Sequence, residues 1–224
     1  MPQKASKYSY LNTYYHMVCM AGLCKRLIYM GIAALALSSA LPGIGFSKPT
    51  PEVPLVDDRI LAIRIKIVET ARRYKGVPYK FGGRGTKNRP NLDCLGLMYE
   101  SLNAAYRKPW RMWSPDPSKL ITQIDPKNKT RKTIFIDTDA KQIESLKPGD
   151  FIFFFDNPFY KHHDAPIAER NGITYQGWHT GIYTEKGNFI HASPFDGNNT
   201  VIEESLLGFM KRIKYKGFVV VSPS

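Results

Sequence analysis

The stretch PNLDCLGLMYESLNAAY, residues 90–106, decides how this chain is read. Asp93 has the side chain of a helix N-cap. Behind it Leu95, Leu97, Met98, Leu102 and Ala105 recur at helical spacing as one apolar face. Cys94 therefore falls in the first turn of a helix. Two readings of it compete. A single cysteine in an apolar run ordinarily packs as a small buried hydrophobe. At a helix N-terminus, the dipole and the unpaired N–H groups instead favour the thiolate, the nucleophilic form.

Upstream, RILAIRIKIVETARRYKG (59–76) places Ile60, Ile63, Ile67, Ala71 and Tyr74 on one helical face, and Gly76 followed by Pro78 stops the helix. VPYKFGGRGTKNRPN (77–91) reads as a loop punctuated by Gly82 and Gly83. Downstream, residues 107–145 are mixed and polar. SLKPGDFIFFF (145–155) is a turn followed by an apolar strand, and residues 156–177 form an irregular excursion. HTGIYTEKGNFIHASP (179–194) is a β-hairpin whose turn needs Gly187. Residues 206–222 end in a further strand. Helices first and antiparallel strands afterwards predict an α+β domain over 59–224, with N-terminal helices packed on a small antiparallel β-sheet.

The N-terminal segment has the layout of an export signal. Lys25 and Arg26 precede an apolar run from Leu27 to Leu37, and Ser38 and Ala40 are spaced as at a signal-peptidase site. Residues 1–40 are assigned to this signal, with Met20 as an alternative start that makes residues 1–19 an over-called beginning. The competing reading is an uncleaved anchor, since Leu27–Phe46 is uncharged and near the length of a membrane span. Membrane contact is expected only in that case. Residues 41–58 follow as a Pro-rich linker. Cleavage would remove Cys19 and Cys24, leaving Cys94 as a lone thiol with no internal disulfide partner. A free thiol in an oxidising compartment is unusual, which tilts Cys94 toward function.

The net charge is +13, and beyond residue 40 the chain still holds 28 basic against 19 acidic residues. Such a surface suits an anionic partner. KNKTRK (127–132) is the nearest thing to a nucleic-acid arm and reads instead as a solvated loop; no nucleic-acid partner is expected.

Nucleophilic cysteine catalysis needs a thiolate, a histidine to take its proton, and a third group to orient that histidine. His179 and His191 lie on opposite arms of the hairpin, where cross-strand neighbours meet, so His191 is placed to orient His179. Cys94 would approach from the helix packed on the sheet. The adjacent His162 and His163, with Asp164, invite a metal site. Neighbouring residues on a strand point to opposite faces, however, and no partner cluster is evident, so neither metal nor cofactor is expected. Trp110 and Trp113 read either as a glycan-stacking patch or as packing of their segment on the core.

Taken in order, GVPYKFGG, DCLGLM, LKPGDFIFF and HTGIYTEKGNFIHAS resemble the NlpC family of bacterial cell-wall cysteine peptidases across nearly all of residues 60–222. The resemblance implies a papain-like core and cleavage of peptidoglycan peptides, often at a γ-D-glutamyl to diamino-acid bond. It implies Cys94 as nucleophile, His179 as general base and His191 as the orienting residue. Tyr79 would line the substrate site and Asp93 would help bind a substrate amine; packing and helix capping are the plainer alternatives for these two. The chain departs from the family pattern at Leu95, where serine is usual, and at Trp178, which would form part of the groove wall. Insertions at about 107–145 and 156–177 lengthen the gap between Cys94 and His179. Peptidoglycan is the implied partner. Another amide substrate, acted on as an amidase, acyltransferase or effector, and a catalytically silent wall-binding module are the other classes.

Overall fold

The computed structural model describes residues 57–156, 165–195, 197 and 199–224. The segment read as an export signal, most of the segment read as a linker and the His162–His163 pair lie outside the described residues. Helix α1 (Asp58–Arg73) is capped by Asp57, whose carboxylate accepts from the Arg59 N–H, and it buries Ile67, Val68, Thr70 and Ala71. Helix α2 (Cys94–Tyr106) begins where the sequence places it, with Asp93 as N-cap.

The segment read as a loop holds a short antiparallel hairpin, β1 (Arg84–Thr86) and β2 (Arg89–Leu92). No apolar alternation announces it: Arg84–Thr86 is half-buried throughout, and only Leu92 at the end of β2 joins the main core. The polar stretch 107–145 is built into the fold. It contributes α3 (Pro117–Ile124), strand β3 (Lys132–Phe135) and a single turn α4 (Ile136–Asp139). Trp113 is buried against Tyr106 and the main core, and Lys108 lies over its ring, which is the packing alternative for this aromatic pair.

The main sheet follows with β4 (Phe151–Asp156), β5 (Ala168–Arg170), β6 (Ile173–Glu185), β7 (Asn188–Ser193) and β8 (Thr200–Ser205). Helix α5 (Leu206–Ile213) and strand β9 (Gly217–Val221) complete the chain. The strand order is β3-β9-β4-β6-β7-β8, with β5 beside β6. All pairings are antiparallel. The excursion therefore ends in strand structure, since β5 and the first part of β6 belong to it. Strand β8, absent from the sequence reading, forms the edge beside β7.

The run FIFFF in β4 is wholly buried because the sheet is covered on both faces. Phe151, Phe153 and Phe155 face the cluster containing Ile67, Leu97, Met98 and Leu102 of α1 and α2. Ile152 and Phe154 face the cluster containing Leu206, Phe209 and Met210 of α5. The PGD motif ahead of β4 has a structural task. Gly149 adopts φ +86°, and a Cβ there would press on the Arg64 backbone of α1. Asp150 accepts from the Arg64 guanidinium at 2.8 Å, the Ser222 hydroxyl at 2.7 Å and the Lys147 N–H at 2.8 Å. This ties helix, sheet and C-terminus together.

Candidate active site

Asp93 builds the start of α2. One carboxylate oxygen accepts from the Gly96 N–H at 2.6 Å; the other accepts from the Gly82 N–H at 2.9 Å and from Arg84 at 2.5 Å. With three donors on a buried carboxylate, helix capping and an ion pair are the roles these contacts support. Gly83 and Gly96 allow this approach. A Cβ on Gly96 would run into the Gly83 carbonyl, and one on Gly83 into the Asn91 carbonyl. The glycines on either side of DC are thus spacing residues that seat the Gly82–Gly83 turn on the helix terminus.

Cys94, half-buried, is the first residue of α2. Its N–H and that of Leu95 have no intrahelical acceptor. The thiol faces Thr180 of β6. The Thr180 hydroxyl and the backbone N–H groups of Thr180 and Leu95 favour its ionised form, but burial first, and the Asp93 charge second, push its pKa up to about 11. The Thr180 hydroxyl is buried and has no full hydrogen-bond partner among the described residues. The resting sulfur is therefore a protonated thiol, where the helix terminus alone suggested a thiolate.

His179 follows a β-bulge. Phe154 pairs with His179 and Phe155 with Gly177, so Trp178 is the extra residue. The bulge shifts the alternation of β6, which re-aims the side chains on either side of it. Trp178 stays 37% exposed. The His179 ring lies among Phe154, Phe195 and Phe209, on the α5 side of the sheet. Across the turn, the register Ile182↔Ile190 and Tyr183↔Phe189 carries His191 opposite Gly181. The two histidines are therefore diagonal neighbours on one face. Their rings meet at 83°, with His179 Nε2 and His191 Nδ1 2.7 Å apart. Lys186 and Gly187, at φ +50° and +78°, form the tight turn that sets this register.

The pair is fully enclosed, and burial first, then repulsion from His191, holds His179 well below the ordinary histidine value of 6.5. Burial likewise holds His191 low, although Glu204 opposes it. Both rings are neutral at neutral pH. Among the described residues no hydrogen bond joins the Cys94 thiol to His179, whose Nδ1 is the ring nitrogen not taken by His191. The thiol instead meets Thr180, the next residue along β6.

Tyr79 lies at the mouth of the same region, bridged to Leu92 and to Asn199 through its backbone. Burial, then negative charge on Cys94 and Asp93, pushes its phenol up to about 12, so it remains a hydrogen-bond donor. Sequence reasoning missed two residues here. Glu204 Oε1 lies 3.0 Å from His191 Nε2, and Arg212 donates to both Glu204 oxygens at 3.1 and 2.8 Å. Glu204 sits on the unread strand β8, so no local signal drew attention to it.

The model of the NlpC/P60 family matches residues 76–212. The chain belongs to the NlpC/P60 family. The matched span holds every candidate residue above, from Tyr79 to His191. Among individual proteins, the chain is 24% identical over 157 residues to "Probable endopeptidase NlpC" of Escherichia coli (strain K12), covering 70% of this chain and 79% of that protein. It is similar in structure to the NlpC/p60 domain of the peptidoglycan hydrolase SagA, at 19% identity and a TM-score of 0.41, covering 70% of this chain and 97% of that one. It is also similar to the peptidoglycan hydrolase RipB from Mycobacterium tuberculosis, at 16% identity and a TM-score of 0.45, covering 81% and 75%. Its fold is the α+β, papain-like arrangement of NlpC/P60 domains.

Proposed function

We propose that this chain is an exported cysteine peptidase that cleaves amide bonds in the peptide stems of peptidoglycan. The observation that carries the reading is the buried hydrogen bond between His179 Nε2 on β6 and His191 Nδ1 on β7, in the sheet against which the helix of Cys94 packs. Family membership and the E. coli relative, itself described as an endopeptidase, support it, and the net charge of +13 suits an anionic polymer.

In this mechanism thiol and imidazole start neutral. The mechanism requires the thiol, which rests against Thr180 in the free protein, to reach His179 Nδ1, which takes its proton as sulfur attacks the amide carbonyl. The oxyanion is met by the free N–H groups at the start of α2 and by the Tyr79 hydroxyl. The imidazolium then protonates the leaving amine, and water hydrolyses the thioester with His179 as base again. Trp178 walls the groove. A γ-D-glutamyl to diamino-acid amide is the bond assigned to the site.

The test is digestion of purified peptidoglycan by the full chain, wild type beside Cys94→Ala, with products identified by mass spectrometry. The wild type should release new stem-peptide fragments and the variant should be slower by at least about 10³-fold. Equal release by both would make Cys94 a core residue. No release by a wild type whose Cys94 is shown to be reduced would favour another amide substrate or a silent wall-binding module. Export through the segment 1–40 requires that the exported protein begin at Leu41, which N-terminal sequencing reads directly; an intact Met1 or Met20 terminus would favour the anchor.

A further inference from the structure

Behind the two histidines the polar chain continues where nothing in the proposed mechanism requires it to. His191 is completely buried, yet its second nitrogen meets Glu204 at 3.0 Å across the β7–β8 ladder, where Ile202 and not Glu204 is its direct partner. The Glu204 side chain is only 20% exposed and is gripped through both oxygens by Arg212 in the last turn of α5. An ionised carboxylate only accepts hydrogen bonds. Arg212 keeps this one ionised: burial works against ionisation, but hydrogen bonds from His191 and Arg212 outweigh it and hold the carboxyl below its ordinary value.

We propose that Glu204, held by Arg212, is a positioning residue that sets the tautomers of both histidines. The carboxylate requires a proton on His191 Nε2. A neutral His191 then carries a lone pair on Nδ1, which accepts at 2.7 Å only if His179 holds its proton on Nε2. His179 Nδ1 is left as the bare nitrogen, the form a general base needs. No proton is transferred to Glu204; it selects one of two tautomeric chains that otherwise differ little. The reverse chain, with Nδ1–H on His179, would leave that ring unable to accept a proton on the side away from His191. The aromatic cage of Phe189 and Phe209 holds the His191 ring plane but has no preference between its two nitrogens, so the choice rests with the carboxylate.

This inference rests on the assignment of His179 as base, and its test separates the two. The full chain, labelled with ¹⁵N at histidine, is compared with Glu204→Gln and Glu204→Ala by NMR at neutral pH, with thermal unfolding measured alongside. The wild type should show single tautomers, Nε2–H on both His179 and His191. Glu204→Ala should show mixed or reversed tautomers, and Glu204→Gln, whose amide can present oxygen or nitrogen, an intermediate state. Peptidoglycan cleavage should fall in kcat by about 10- to 100-fold in Glu204→Ala, with KM held, the loss seen when the carboxylate that orients a metal-bound histidine is removed. Glu204→Gln should lose less. If either folded variant keeps the wild-type ring signals and the wild-type kcat, the proposal is overturned. The same holds if wild-type His191 carries its proton on Nδ1. If the tautomers shift as described while no protein cleaves peptidoglycan, Glu204 sets the tautomers and the substrate assignment is the part that fails.

Discussion

The thiol of Cys94 is pulled in two directions. Its place at the start of α2 offers N–H groups that favour a thiolate, and the Thr180 hydroxyl adds to them, yet desolvation and the neighbouring Asp93 charge outweigh both and raise the thiol to about 11. His179, enclosed by aromatic rings, is correspondingly a weak base in the free protein. The resting site is therefore a neutral pair rather than an ion pair, and proton transfer accompanies attack. This predicts that alkylation of Cys94 by iodoacetamide, followed at the Cys94 peptide by mass spectrometry, keeps accelerating with pH toward about 11 instead of levelling near the ordinary cysteine value of about 8.5. A plateau below neutral pH would mean that a thiolate–imidazolium pair already exists without substrate.

Among the elements, α2 and the Gly82–Gly83 turn act as one unit. Within a helix, glycine to alanine ordinarily gains about 1 kcal/mol through helix propensity. At Gly96 the sign should reverse. The added methyl would meet the Gly83 carbonyl, and the strand pair carrying Arg84 must then withdraw from Asp93. Gly96→Ala should lower stability in denaturant unfolding by about 1–3 kcal/mol, the usual cost of overpacking a fitted contact. Gain of stability would show that the turn is not seated on the helix terminus. The hairpin β6–β7 is the second functional element. Its tight turn sets the register, while the bulge at Trp178 decides which side chains of β6 share a face with His191.

For the whole molecule, the polar chain buried at the centre makes folding sensitive to acid. His179 and His191 bind protons less readily folded than unfolded. The unfolded chain therefore takes up protons first as pH falls through the ordinary value of 6.5, and their contribution, complete above that value, is lost on the way down. Glu203 and Glu204 add a second loss beginning near their ordinary value of 4.5, since both carboxyls are held low by cationic partners. The thermal midpoint should fall between about pH 7 and about pH 5, and again below about pH 4.5. His179→Gln should flatten the first segment and leave the second. A midpoint independent of pH across the first window would show that the two rings fold with ordinary proton affinity.

Much of the architecture was legible from local patterns, because helix capping, apolar periodicity and tight-turn chemistry act over a few residues. Asp93, the apolar face of α2, the FIFFF strand and the Gly187 turn all carry their structure in neighbouring side chains, and the same stretches hold Cys94, His179 and His191. The sequence by itself also determined that the two histidines would lie on paired strands. Only the tertiary structure decided the rest. Strands β3 and β8 are short edge strands whose pairing depends on partners far along the chain, so no local period marks them. The bulge at Trp178 inserts one residue and breaks the alternation from which a face would be read. The protonation state of Cys94 depends on what buries it, and Glu204 reaches His191 only because β8 folds beside β7. These features follow from long-range packing and desolvation, which a linear pattern of residue types does not contain.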